Sequence, residues 1–163
     1  MKQLGPAFFA ADAMVVAPAL IGMHLVLGAH HVQIIETEAY TADDPASHSF
    51  RGPTTRNAPM FAAPGRLYVY LIYGIHHCLN VVTGAEGDGQ AVLLRAGLIH
   101  GVDPRRSSGP GRLAALVGAD RTWNGVEVQG WAPARPLAGV VEVTARIGIS
   151  RAVDWPRRWV LRP

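Results

Sequence analysis

Glu36 and Glu38 stand two apart in the run Val32-Gln33-Ile34-Ile35-Glu36-Thr37-Glu38-Ala39-Tyr40. On an extended strand that spacing puts both carboxylates on one face. The run opens onto a long polar stretch containing Asp44, Ser47 and His48, and Tyr68-Val69-Tyr70-Leu71-Ile72-Tyr73-Gly74 follows soon after. Carboxylates, a histidine and a run of tyrosines close together are what a pocket needs to grip a flat ring and activate a water beside it. Paired acids on a strand can equally be a solvated face, and an aromatic strand face is often plain core packing. These acids end a strand where a loop begins, a common mount for active-site carboxylates, and both readings stay open on the residues alone.

Other chemistries fit less well. The chain has 15 basic residues and 14 of them are arginine, leaving Lys2 as the one lysine. Schiff-base chemistry needs an amine in a desolvated site, so water is the expected nucleophile. Seven histidines invite a metal, with His30-His31 and His76-His77-Cys78 as candidates. Adjacent residues on a strand point to opposite faces, no second cysteine is present, and no zinc-protease motif occurs. A metal hydrolase using these histidines is therefore the weaker alternative. His48, in the polar loop beside Asp44 and Ser47, suits hydrogen bonding or proton relay. Ser107-Ser108-Gly109-Pro110-Gly111-Arg112 lacks the ending of a phosphate-binding P-loop. It reads either as a weak anion site at a helix start or as an ordinary connection.

The elements that must position these groups are short. An alanine-rich helix is expected near Ala7–Ala17, then strands His24–Leu27 and Val32–Glu38 joined by a Gly-Ala-His-His turn. Asp12, Pro6, Pro18 and His24 interrupt the apolar stretch from Leu4 to Leu27, which argues for a buried helix over an export signal or membrane span. Thr41 to Arg66 reads as a long ordered loop, a common carrier of function. Leu67–Tyr73 and Ile75–Thr83 form a hairpin reversing at Gly74. Ala91–Ala96, a short helix over Arg112–Val117 stopped by Gly118, and strands at Val126–Gln129 and Val140–Ile147 complete the order. Connections this short favour antiparallel pairing. The expected fold is α/β (α+β): one domain over residues 1–163, with a mostly antiparallel, curved or open-barrel-like sheet, flanking helices and a protruding hairpin.

At 163 residues, with 49% hydrophobic and 17% charged residues, the composition is that of a globular chain able to bury a core. The lone cysteine, Cys78, cannot form an internal disulfide, which fits a reducing compartment. Charge is uneven. Up to Leu94 there are four basic residues against seven acidic; from Arg95 onward there are eleven against five. A pI near 9.5 with arginines gathered in one half suggests a polyanionic partner, although an arginine-rich composition alone could also produce it.

Together these residues resemble the alkylpurine (3-methyladenine) DNA glycosylase family of the mammalian methylpurine type. The matching words are Glu36-Thr37-Glu38-Ala39-Tyr40, Asp44-Pro45-Ala46-Ser47-His48, Thr55-Arg56-Asn57, Tyr68-Val69-Tyr70 through Tyr73-Gly74, Cys78-Leu79-Asn80, Ala91 through Ala96, Gly109-Pro110-Gly111-Arg112-Leu113 and Arg146-Ile147-Gly148-Ile149-Ser150. They run in order over most of the chain. The resemblance implies a monofunctional hydrolase for damaged purines in double-stranded DNA, the first step of base excision repair, acting as a monomer without metal or cofactor. By this resemblance Glu38 would activate the attacking water, and Arg95, with backbone near Ile147, would help hold that water and nearby DNA. Tyr40, His48 and Tyr70 would line the pocket for the extruded base, and Asn80 would crowd the 2-amino group of normal guanine. Tyr73 would be the wedge in the minor groove, and Arg56 and Arg112 are further candidates for DNA contact. A cytoplasmic, nucleoid-associated location is expected if the source is bacterial, with no membrane partner. The alternative is a catalytically impaired DNA- or RNA-binding module on the same scaffold.

Overall fold

A computed structural model describes residues 2–163. Two short helices open the chain, α1 (Pro6–Phe9) and α2 (Ala13–Ala19). The single helix expected over Ala7–Ala17 is divided because the Asp12 carboxylate accepts from Met14 N at 2.8 Å and starts a new helix there, an N-cap worth roughly 1 kcal/mol. The break is held from outside. Gly84 N donates to the carbonyls of Phe9 and Ala11, and Ala13 N donates to Gln90 Oε1 at 2.8 Å.

Eight strands follow: β1 (His24–Leu27), β2 (His30–Tyr40), β3 (Leu67–Ile72), β4 (His76–Thr83), β5 (Gln90–Leu98), β6 (Gln129–Trp131), β7 (Val140–Thr144) and β8 (Arg158–Arg162). The turn from β1 to β2 is only Gly28-Ala29, since Leu27 pairs with His30. All pairings between these strands are antiparallel. The sheet runs β3-β4-β5-β2-β1-β6. It forks at β2, whose start pairs with β1 and whose end pairs with β8, with β7 beyond. β6 begins later than expected, at Gln129, and β8 falls where no strand was expected.

The two faces of the sheet differ. One carries the main apolar core, with Phe9, Val16 and Leu20 of the opening segment and Leu113 and Val117 of α3 (Pro110–Val117) packed among Leu25, Ile34, Leu79, Leu94 and Trp159. Gly118, at φ 78°, ends α3 in the left-handed conformation. Thr37 belongs to this face and donates to Ala17 O at 2.8 Å. The other face carries a smaller cluster of Met60, Tyr68, Val82 and Ala91, with Tyr40, Phe61 and Tyr70 against it. The connection from Thr41 to Arg66 packs on it and has one short 3-10 turn, Ala58–Phe61. Among the described residues no helix is long and apolar enough to cross a membrane.

Candidate active site

Strand alternation directs Glu36, Glu38 and Tyr40 away from the helices. Glu38 has no exposed surface and Glu36 very little. Tyr40 donates its hydroxyl to Glu38 Oε1 at 3.2 Å, and Arg95 Nη1 donates to Glu38 Oε2 at 3.2 Å. The same guanidinium uses Nε to reach Glu36 Oε1 at 2.8 Å, and Arg158 Nε donates to that oxygen at 2.7 Å.

Arg95 reaches this face through an irregularity. Glu36 pairs with Ala96, but Thr37 pairs with Leu94. Arg95 is therefore the unpaired residue of a β-bulge, a device that redirects a side chain. Close packing accompanies it at Gly97, where a Cβ would lie 2.2 Å from Val32 Cγ1.

Burial pushes the Glu38 carboxyl above its ordinary value of 4.5. Arg95, the Tyr40 hydroxyl, the backbone amide of Ile147 and Arg146 all pull the other way without cancelling it. A carboxylate raised in this manner is a stronger base than one in water. Burial also opposes the charge on Arg95, but Glu38 and Glu36 outweigh it and hold that pKa above its usual level.

Beside Glu38 lies a slot lined by Tyr40, Ala46, His48, Met60, Tyr68, Tyr70 and Asn80, of about 20 Å³. That is room for a single water, so a flat ring can enter only if the aromatic walls part. His48 lies edge-on to Tyr70, with ring centres 4.3 Å apart, and its Nδ1 is 3.0 Å from the Tyr68 hydroxyl. Desolvation between these rings, and Arg56 nearby, hold the imidazole below its ordinary 6.5. The exposed His48 thus remains neutral near pH 7. Burial raises Tyr68 to about 12 and raises Tyr70 further, with Cys78 contributing, so both stay neutral hydrogen-bonding walls. Asn80 is fixed by donating to Tyr68 O at 3.1 Å.

The loop is tied to the slot by a buried ion pair. Arg146 bonds both carboxylate oxygens of Asp44 and donates to Ala39 O at 3.0 Å. Its guanidinium also lies 4.7 Å from the centre of the Tyr40 ring, a cation–π contact. His48 does hydrogen-bond, though not to its loop neighbours. Asp44 is engaged by Arg146, Ser47 meets Ser49, and His48 turns to Tyr68.

The structure therefore gathers Glu38, Arg95, Tyr40, His48, Tyr70 and Asn80, with the Ile147 amide near Glu38. The remaining candidates are peripheral. Tyr73 is 86% exposed at the hairpin tip, with φ 52°, an unusual backbone for a bulky residue. Arg56 donates to Leu71 O at 3.2 Å. It lines a 470 Å³ cleft with Arg51 and Arg151 that shares His48 and Tyr68 with the slot. Arg112 is on α3 and donates to Arg105 O at 3.3 Å. Sequence reasoning singled out Glu36 beside Glu38 without assigning it a partner, and gave no role to Tyr68 at the slot or to the Asp44–Arg146 pair, although matching words marked each of them. It missed Arg158 with no signal to find it. Among the described residues no three of His, Cys, Asp and Glu converge as a metal site requires.

Comparison with known proteins gives the arrangement a lineage. The family model described as methylpurine-DNA glycosylase (MPG) matches residues 7–163. A protein of Rhodopseudomonas palustris (strain BisB18) is 45% identical over 98% of this chain and 90% of its own length. One of Synechococcus sp. (strain JA-3-3Ab) is 42% identical over 92% and 91%, and one of Methanoculleus marisnigri is 42% identical over 98% and 95%. All three bear the name "Putative 3-methyladenine DNA glycosylase". With the family match spanning residues 7–163 and relatives more than 40% identical over most of their length, the chain belongs to the methylpurine-DNA glycosylase family.

Proposed function

We propose that this protein hydrolyses the N-glycosidic bond of alkylated or deaminated purines, 3-methyladenine among them, turned out of duplex DNA. The observation that carries the reading is the buried Glu38, held by Arg95 and by Tyr40, whose ring in turn lines an aromatic slot. Water attacks C1′ of the sugar as the bond to the base breaks, and Glu38 takes the water's proton. Its negative charge also favours the positive charge that develops on the sugar. The base leaves with the bonding electron pair. An alkylated purine carrying a positive charge departs as a neutral base without further protonation.

The slot supplies selectivity. Tyrosine faces attract a cationic ring by roughly 0.5–2 kcal/mol, and Asn80 borders the space such a ring must fill. Because a ring needs more room than the closed slot has, insertion involves movement of Tyr40, Tyr70 or the loop bearing His48. Tyr73, exposed at its hairpin tip, would fill the gap left in the base stack. Lys2 is the only lysine and none lines the slot, so water is the nucleophile and an intact abasic site is the product. The protein acts as a monomer on DNA in the cytoplasm, at the nucleoid in a bacterial source.

Incubation with methylated duplex DNA should release 3-methyladenine and leave alkali-labile sites. Glu38→Gln should lose about 10²- to 10⁴-fold in single-turnover rate while still binding the duplex. A wild-type protein that binds damaged duplex without turnover, unchanged by Glu38→Gln, would instead identify a binding module.

A further inference from the structure

The proposed mechanism uses Glu38 and its contacts with Arg95 and Tyr40, yet the buried charges extend one step further. Glu36, two residues before Glu38 on β2, accepts from both Arg95 and Arg158 through a single oxygen, Oε1. The side chains of Arg158, Glu36 and Arg95 are 12%, 11% and 9% exposed. Ordering two arginines around one carboxylate in so dry a place costs side-chain freedom and desolvation, and such an arrangement is weak as a stability device. Its geometry shows another use. Arg95 sits unpaired in the bulge of β5, so the strand ladder does not fix its direction. The bond to Glu36 on its Nε leaves Nη1 turned toward Glu38.

We propose that Glu36 and Arg158 are positioning residues that divide Arg95 between two carboxylates and thereby set the pH range over which Glu38 works as a base. The inference rests on the reading of Glu38 as that base. Arg158 binds Glu36 and weakens its hold on Arg95; Glu36 binds Arg95 and limits its pull on Glu38. Each link opposes the next. The other groups facing Glu38 are Tyr40 on β2, Cys78 on β4, and Arg146 with the Ile147 amide in the segment after β7. Among the described residues only Arg95 and Arg158 form ion pairs with Glu36.

Opposed links give opposed effects. Without Arg158, Glu36 draws Arg95 to itself, Glu38 is harder to ionise and the acid limb of the pH–rate profile moves to higher pH. Without Glu36, Arg95 turns fully to Glu38 and the limb moves to lower pH. The test is single-turnover release of 3-methyladenine from methylated duplex DNA across about pH 5 to 9 for wild type, Arg158→Gln and Glu36→Gln. The ratio of the rate at acid pH to the plateau should fall about 3- to 10-fold in the first variant and rise by a similar factor in the second. Arg158→Lys keeps the charge and the packed stem but loses the Nε–H bond, and its limb should move in the same direction as that of Arg158→Gln. It also serves if a Gln variant does not fold, with carboxyl ¹³C NMR following Glu38 directly. Limbs that stay put or shift in one shared direction overturn the proposal, as does an Arg158→Lys profile identical to wild type. An inactive wild type would instead remove the hydrolase reading beneath it.

Discussion

Glu38 is an acid whose burial works against the fold and, on the proposed reading, for the reaction. Its folded-state pKa lies above the ordinary 4.5. The stability tied to its protonated form is complete below that ordinary value and is lost as pH rises through the raised one. Near neutral pH the protein therefore carries a destabilising charge in place, as active sites commonly do. Glu38→Gln mimics the protonated acid. Its thermal midpoint should match wild type near about pH 4 and exceed it near about pH 7. Thermal melts of both proteins at the two pH values check this. A gap that does not widen with pH would mean that Arg95 and Tyr40 compensate fully for burial, and that Glu38 is no stronger a base than a surface glutamate.

At the scale of elements, the sheet mounts the acids and the loop closes over them, with Arg146 joining the two. Its partner Asp44 is completely buried, and Arg146 also donates to the carbonyl of Ala39, between Glu38 and Tyr40. Removing one member of a buried pair leaves the other charge uncompensated, at about 3–5 kcal/mol. Arg146→Gln should thus lower the unfolding free energy by that amount and expose Thr41–Arg66 to early proteolysis. A small loss with an intact loop would show that the loop is held by its apolar cluster instead. The same comparison shows what the sequence could reveal. Glu36, Glu38 and Tyr40, and again Tyr68 and Tyr70, share faces by simple alternation, so the acid and the tyrosines were legible. The hairpin was legible from Gly74, and the end of α3 from Gly118. Three features were not. The bulge that turns Arg95 inward depends on pairing between β2 and β5. The place of β8 depends on an association with β2 across more than a hundred residues. The His48 contact with Tyr68 and the Asp44 contact with Arg146 both join residues far apart along the chain.

At the scale of the molecule, charge composition pointed toward a polyanion but overstated the cations available for one. Of the eleven arginines from Arg95 onward, Arg95, Arg105, Arg146, Arg157, Arg158 and Arg162 form internal ion pairs among the described residues. Paired cations release few DNA counterions, so they add little to salt-dependent affinity. Arg56 and Arg112 are different. Each is exposed, donates only to a backbone carbonyl, and flanks the hairpin that carries Tyr73. Arg56 bonds Leu71 of β3, and the α3 segment bearing Arg112 packs Gly111 against His76 of β4. On the proposed reading, in which Tyr73 enters the duplex, these two arginines would meet phosphates beside it. In titrations of duplex DNA across a salt series, Arg56→Gln and Arg112→Gln should each reduce the slope of log K against log salt by about 0.9, one phosphate contact apiece. Arg162→Gln, which removes a cation bound to Glu142, should leave the slope nearly unchanged. Equal reductions in all three variants would mean that DNA responds to net charge alone, and that the hairpin and its flanking arginines do not set where the duplex lies.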